Sequence, residues 1–293
     1  MTQQAGPQGT RTSVGVTGAT GRVGGRVARA LVAAGHDVRL LVRDASRAPR
    51  LDGPGSVDVA VCEYRDGEAS RRALDGLSVV LMVSGAESED RVDEHRGFVD
   101  AAADAGVGHL VYTSFAGASP ESVFTLGRDH WATEEHVRAS GVAHHTFLRD
   151  NLYADFMPLL AGEDGVIRGP GGDGRLAGVA VADVADVATA VLRDPAAHRD
   201  ATYVLTGPEA FTLAEAAATV SRVTGRDVRY EAETLEQAYA SRASYGAPDW
   251  QVEAWVSTYT AIAAGEMAEV TDHVERVTGR PARSLDEVLR EQA

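Results

Sequence analysis

The run SVGVTGATGRVGGRVARALVAAG, residues 13 to 35, narrows the choice of folds more than any other stretch of the chain. A short β-branched segment, Val14 to Val16, leads into Gly18, Gly21 and Gly24 at steps of three, and apolar residues at helical spacing follow. A strand that turns through glycines straight into a helix is the opening of a βαβ unit, because parallel strands need a crossover helix between them. The spacing G-x-x-G-x-x-G is looser than G-x-G-x-x-G, so its meaning comes from the strand before it and the helix after it. In that setting the backbone approaches a pyrophosphate and the helix N-terminus stabilises its charge. The turn is therefore read as a dinucleotide cradle made by Thr17, Gly18, Thr20, Gly21, Arg22, Val23 and Gly24.

The same rhythm continues. Strands are expected near 13–17, 38–42, 57–61, 78–84, 108–113 and 143–148, with helices near 22–34, 67–75, 89–104 and 127–140. Gly35, Gly76, Gly106 and Gly141 stand where helices end and a residue turns left-handed. This alternation predicts a doubly wound α/β sheet, a Rossmann domain over residues 13–150. From Asn151 the pattern becomes more helical, so residues 151–293 are read as mainly a smaller substrate lobe, with a segment near 180–206 returning a strand (202–205) to the sheet. Capping boxes are read at Thr212 with Glu215, Thr234 with Gln237, and Ser284 with Glu287. GPGGDG, residues 169 to 174, lacks the lysine and helix of a phosphate loop and is expected to be a mobile flap.

The end of the second strand selects the cofactor. VRLLVRDA carries Arg43 where an NAD binder usually places a carboxylate, and Arg22 projects from the glycine turn, so an arginine fork on a 2′-phosphate favours NADP(H). Arg47 is a helper, and Asp44 is a competing partner for Arg43. Asp66 is read as a helix N-cap, and Ser84 as a small residue that lets the cofactor ribose approach.

Composition sets the limits on chemistry. A formal net charge of -15 repels phosphate backbones and anionic membranes, so a small-molecule substrate is expected, not nucleic acid or lipid. No apolar run reaches the roughly 18 residues of a membrane span, and MTQQAGPQGTRT has no signal-peptide pattern, which predicts a cytoplasmic protein. The single cysteine, Cys62, excludes an internal disulfide. All 28 basic residues are arginines. Without a lysine there is no Schiff base, no P-loop lysine and no Tyr-x-x-x-Lys pair to protonate an alkoxide.

TGATGRVG, LLVRD, LVYTSF, HWATEEHVRASGVAHHTFLRDNLY and VADVADVA together resemble the atypical short-chain dehydrogenase/reductase group that contains NmrA-like proteins and type 2 NAD(P)H:quinone oxidoreductases, over about residues 13 to 290. The resemblance implies an NADP-binding Rossmann domain beneath a substrate lobe and two-electron quinone reduction without a flavin. It implies that Gly18, Gly21, Gly24 and Arg43 bind the cofactor, with Thr113 and Ser114 beside the nicotinamide ribose. His130, Thr133 and Glu134 take the place of the missing Tyr/Lys helix, and Asn151 and Tyr153 border the nicotinamide. Asp150 departs from the Pro or Asn expected before an NLY-type segment.

Reducing an isolated ketone yields an alkoxide that needs a strong proton donor, whereas reducing a quinone yields a phenolate-like anion whose conjugate acid resembles tyrosine, pKa about 10. The missing lysine therefore points to a quinone or a related conjugated carbonyl, aromatic polyketides included. The candidate catalytic residues are His130, Tyr153 and Ser114; Phe115, His130, Glu134, Asn151 and Tyr153 are the candidate acceptor-side residues. His130 and Glu134 lie one helical turn apart, so Glu134 is expected to raise the histidine's pKa. No third ligand accompanies them, so no metal is expected. His144 and His145 are consecutive on a strand and should point to opposite faces. Trp131, Trp250 and Trp255 are assigned by default to packing. A non-catalytic NADP(H)-sensing regulator is the alternative, with an isomerase or dehydratase third, and the chain is expected to be a monomer or homodimer.

Overall fold

The computed structural model describes residues 13–292. The chain runs β1 (Val14–Thr17), α1 (Arg22–Ala33), β2 (Val38–Val42), β3 (Val57–Val61), α2 (Gly67–Leu74), β4 (Val79–Met82), α3 (Arg91–Asp104), β5 (His109–Phe115), α4 (Thr125–Ala139) and β6 (His144–Asp150). It continues through β7 (Val166–Gly169), β8 (Arg175–Leu176), α5 (Val181–Arg193), β9 (Ala201–Leu205), β10 (Phe211–Thr212), α6 (Leu213–Thr224), β11 (Arg229–Ala232), α7 (Leu235–Arg242), α8 (Asp249–Ala263), α9 (His273–Thr278) and α10 (Leu285–Gln292). MTQQAGPQGTRT, residues 1–12, lies outside the described residues.

Seven strands form one sheet in the order β3-β2-β1-β4-β5-β6-β9, and every neighbouring pair is parallel. The chain leaves β1 first toward β2 and β3, then returns to β4 on its other side, so the sheet switches direction between β1 and β4. Ligands bind at the carboxyl ends of strands at such a point. The fold is the doubly wound α/β class expected from the alternating pattern. Central strands are apolar on both faces because helices cover both: α1 and α5 pack over one core with Val16, Leu31, Leu81 and Val187, and α2, α3 and α4 pack over the other with Leu74, Phe98, Tyr112 and Val137.

Helix ends follow local chemistry. Gly35, Gly76 and Gly106 adopt φ of +85°, +76° and +73° after α1, α2 and α3. Gly141 does not join them. At the end of α4 the Ser140 backbone N–H and hydroxyl both donate to the carbonyl of Val137, at 3.2 and 2.8 Å, which closes the helix without a left-handed residue. All three capping boxes form, at Thr212/Glu215, Thr234/Gln237 and Ser284/Glu287.

The second lobe has its own core, where Phe124, Met157, Ile167, Leu213, Ile262 and Leu289 meet. Two small two-stranded sheets, β10-β8 and β11-β7, join its helices. The 169–174 turn is not a free flap. A Cβ on Gly169 would stand 2.3 Å from the Tyr259 ring, and one on Gly174 would stand 2.3 Å from the Ile262 carbonyl, so the turn is laid flat against α8. Among the described residues, no helix is long and apolar enough to cross a membrane.

Candidate active site

The glycine turn shapes the start of α1. Gly18 has φ +61°, and a Cβ on Gly24 would stand 2.5 Å from the carbonyl oxygens of Thr17 and Gly18, so only glycine lets the helix sit against the end of β1. Around Gly21 the nearest heavy atom to a Cβ would be the Gly18 carbonyl, at 3.2 Å, which leaves the outer side of the turn open. No side chain caps this helix and its first turn carries no acid. Its first amide groups therefore point at a place an anion would fill, and the cradle fits a pyrophosphate.

Beside the turn is a cavity of about 400 Å³ whose lining includes Thr17, Gly18, Thr20, Arg43, Tyr64 and Ser84. It is braced from behind. The Tyr64 hydroxyl donates to the Val83 carbonyl at 2.6 Å, and the Val83 amide donates to Thr17 Oγ1 at 2.8 Å. Thr17 in turn contacts Tyr64 Oη at 2.7 Å and, since the phenol proton is committed to Val83, Thr17 is the donor. Thr113 Oγ1 accepts from the Ser84 amide at 2.8 Å and so fixes the loop after β4. Tyr64 was missed as a site residue: CEYRD shows an aromatic after a strand, but nothing there shows that the ring reaches Val83.

Arg43 is exposed at the edge of this cavity and forms no ion pair among the described residues. The competing Asp44 is spent on Ser46, whose amide and hydroxyl donate to it at 2.9 and 2.7 Å. Arg22 does not complete an arginine fork. Its guanidinium lies 4.8 Å from the centroid of Phe156, because the first position of α1 faces the second lobe and not β2. Asp66 caps α2, accepting from Ala69 N at 2.9 Å.

Phe156 belongs to a second cavity, of about 690 Å³, whose walls include Tyr153, Met157, Tyr245, Trp255 and Tyr259. The walls are mainly apolar and aromatic, which suits a flat conjugated molecule. Trp255, assigned to packing from sequence, is a wall of this cavity. Glu87 joins the cavities: it lines the first and accepts from Trp255 Nε1, a wall of the second, at 3.3 Å and from Gln251 Nε2 at 3.1 Å, while Arg22, at the start of α1, lies over Phe156 of the second. The Tyr153 ring meets Phe156 edge-on at 5.5 Å and also packs against the core beneath the glycine turn.

The expected proton donors are placed differently. Ser114 is buried and its hydroxyl donates to Glu134 at 2.6 Å, so its hydrogen is directed into the protein. Glu134 is fully buried and bonded by Ser114, Arg149 and Arg138, and its carboxylate makes no hydrogen bond to the His130 ring. The one-turn spacing places both on α4, but each meets a different neighbouring element. Arg91 Nη2 lies 3.0 Å from His130 Nε2, and a guanidinium can only donate, so Nε2 is the acceptor and Nδ1–H donates to Tyr112 Oη at 2.9 Å. Burial and then the Arg91 charge hold His130 well below the ordinary histidine range, the reverse of the shift expected from Glu134. Asn151 is also internal: its Nδ2 donates to the Met267 carbonyl at 3.0 Å and its Oδ1 accepts from Leu152 N at 2.8 Å. Phe115 packs on Phe124 and His130 within the lobe core. Of the three candidate donors, Tyr153 alone lines either of these two cavities.

His144 and His145 are not kept apart by the strand. The Nδ1 atoms of both lie 3.3 Å from the Asp200 carboxylate, which reaches around the end of β6 from a residue with φ +56°. Among the described residues no group of three or more metal-ligating side chains converges.

The NmrA-like family profile matches residues 10–286. A (4-alkanoyl-5-oxo-2,5-dihydrofuran-3-yl)methyl phosphate reductase of Streptomyces griseus is 38% identical over 284 residues, covering 95% of this chain and 97% of that one. An NAD(P)H azoreductase of Xenophilus azovorans is 34% identical over 281 residues, with 95% and 97% covered. The NADPH-dependent quinone oxidoreductase QOR2 of Escherichia coli, solved with NADPH, superposes with a TM-score of 0.84 at 29% identity over 95% of this chain and 99% of that one. With its glycine turn at the switch point of a seven-stranded parallel sheet, the chain belongs to the NmrA-like family.

Proposed function

We propose that the chain is an NADPH-dependent oxidoreductase that reduces quinones and related conjugated acceptors, aromatic carbonyls included. The carrying observation is a pair of cavities bridged by the Glu87–Trp255 hydrogen bond: one beside an uncapped glycine turn, the other walled by aromatic rings. When bound, the dihydronicotinamide supplies the hydride. The α1 amides hold the pyrophosphate, Arg43 holds the 2′-phosphate, and Thr113 fixes the loop that carries Ser84.

Two of the acceptors in the names of the relatives share one trait. A quinone and an unsaturated lactone carrying a second carbonyl each take up a hydride to give a delocalised oxyanion. Such anions need only a weak acid, consistent with a chain that has no lysine. Tyr153 is the donor in reach, and positioning of the acceptor against the cofactor supplies most of the catalysis. A cofactor-sensing regulator would have no use for an aromatic-walled cavity of about 690 Å³ beside its cofactor.

The test is anaerobic mixing of the purified protein with NADPH and a panel of quinones and azo dyes. Acceptor-dependent loss of the NADPH absorbance is expected. Bound NADPH that no member of the panel oxidises would overturn the reductase reading in favour of a sensor.

A further inference from the structure

Asp150 stands at the carboxyl end of β6, opposite Phe115 of β5 and Leu205 of β9. It is 3% exposed. Its Oδ2 lies 2.9 Å from Tyr153 Oη, and its Oδ1 has no hydrogen-bond partner. An ionised carboxylate in this place would leave a charged oxygen bare in a dry site, without the water or donors that stabilise a charge. A neutral carboxyl leaves only a carbonyl oxygen bare. The groups around the pair supply no compensating charge: Asp155 beside Tyr153 accepts from Val181 N and Gln292 Nε2, and the Arg22 guanidinium lies over Phe156, one ring away. Burial accordingly pushes the Asp150 carboxyl well above the usual carboxylate range, and burial followed by the Asp150 charge pushes the Tyr153 phenol up.

We propose that Asp150 is held as the neutral acid and recharges Tyr153, which protonates the anion left on the acceptor after two-electron reduction. Asp150 is a positioning and proton-storing residue that acts through Tyr153, and the inference rests on the reductase reading above. With Asp150 ionised, the phenol donates to Oδ2. With the proton on Oδ2 the same contact runs the other way, and the phenol hydrogen is free to turn into the cavity that Tyr153 lines. In the proton step the Tyr153 O–H bond breaks as a new bond to hydrogen forms on the acceptor. The Asp150 O–H bond then breaks as the Tyr153 hydroxyl is restored, and the Asp150 carboxylate takes a proton from water. Two electrons and one hydrogen come from the dihydronicotinamide, the second hydrogen comes from solvent, and the acceptor gains both.

The test has two arms, on the wild type, Asp150→Asn and Tyr153→Phe, each checked for NADPH affinity and melting temperature. In the first arm, infrared difference spectra of the cofactor-free protein, wild type minus Asp150→Asn, should show a neutral-carboxyl band at pH 7 that shifts in Tyr153→Phe. Absence of that band overturns the proposal. In the second, Asp150→Asn should lower kcat on the order of tenfold with the NADPH KM unchanged, below the ~10²–10⁴ of a full general acid because water can protonate phenolate-type anions. The variant should also lose the alkaline limb of the wild-type pH profile. A working wild type matched by Asp150→Asn in kcat and pH profile overturns the relay alone, whereas a wild type inert toward every acceptor overturns the reductase reading and the relay with it.

Discussion

Glu134 and Arg149 form a two-pronged pair, Nε to Oε1 at 2.8 Å and Nη2 to Oε2 at 2.7 Å, that ties α4 to β6. Arg138 and the Ser114 hydroxyl take the remaining capacity of the same carboxylate. Glu134 is therefore a strut and not an acceptor ligand. Glu134→Ala leaves Arg149 and Arg138 without their common partner inside the protein and should cost about 3–5 kcal/mol of stability. Urea denaturation checks this; an unchanged midpoint would mean that the pair contributes nothing.

Arg43 is an exposed cation lining the cavity beside the glycine turn, and with Asp44 bonded to Ser46 it has no ion-pair partner among the described residues. Its charge-assisted bond to a 2′-phosphate is worth about 1.5–3 kcal/mol, so Arg43→Ala should lower the NADPH-over-NADH affinity ratio roughly ten- to a hundredfold. Fluorescence titration with both cofactors measures the ratio. If it does not move, another group carries the selection.

What was legible in the sequence divides along the same line. The strands, the helices and the cofactor cradle are local: period, glycine spacing and the residue after β2 lie within a few turns of chain. The acceptor side is not. Tyr153, Tyr245, Trp255 and Tyr259 come together only after β7, α7 and α8 have packed, and nothing in HWATEEH shows that Glu134 will meet Arg149 of β6 while His130 meets Arg91 of α3. Helical spacing gave the face correctly and the partners wrongly, because partners are set by which element packs on that face.

Three buried histidines link stability to pH. Burial lowers His95 to about 3 and His109 to about 4, and burial with the Arg91 charge lowers His130 well below its ordinary value. A base with a depressed folded-state pKa is neutral in both states above the unfolded value of about 6.5, so its contribution is fully present there. As pH falls below that value the unfolded chain takes up protons first, and stability is lost down to the folded pKa. At pH 5.5 each such histidine costs about 1.4 kcal/mol, or about 4 for the three together. Denaturation at pH 7.5 and 5.5 should show this drop, with a shallower slope in His130→Asn. Equal slopes in the two proteins would mean that His130 does not titrate in this way.

Arg22 occupies the first position of α1, where the helix dipole disfavours a cation, and it rests 4.8 Å over Phe156. A pyrophosphate on the α1 amides would reverse the local field and draw the guanidinium off the ring, so Arg22 would answer to both cofactor and acceptor. Arg22→Ala should then weaken NADPH by about tenfold, the scale of one charge-assisted bond, and also change the acceptor KM by freeing the Phe156 face. Phe156→Ala should raise the acceptor KM by about tenfold through lost ring contact while the NADPH Kd stays within about twofold. Measuring both constants in both variants separates the roles: an Arg22→Ala protein with normal NADPH affinity would show that the guanidinium stays on Phe156 and takes no part in holding the cofactor.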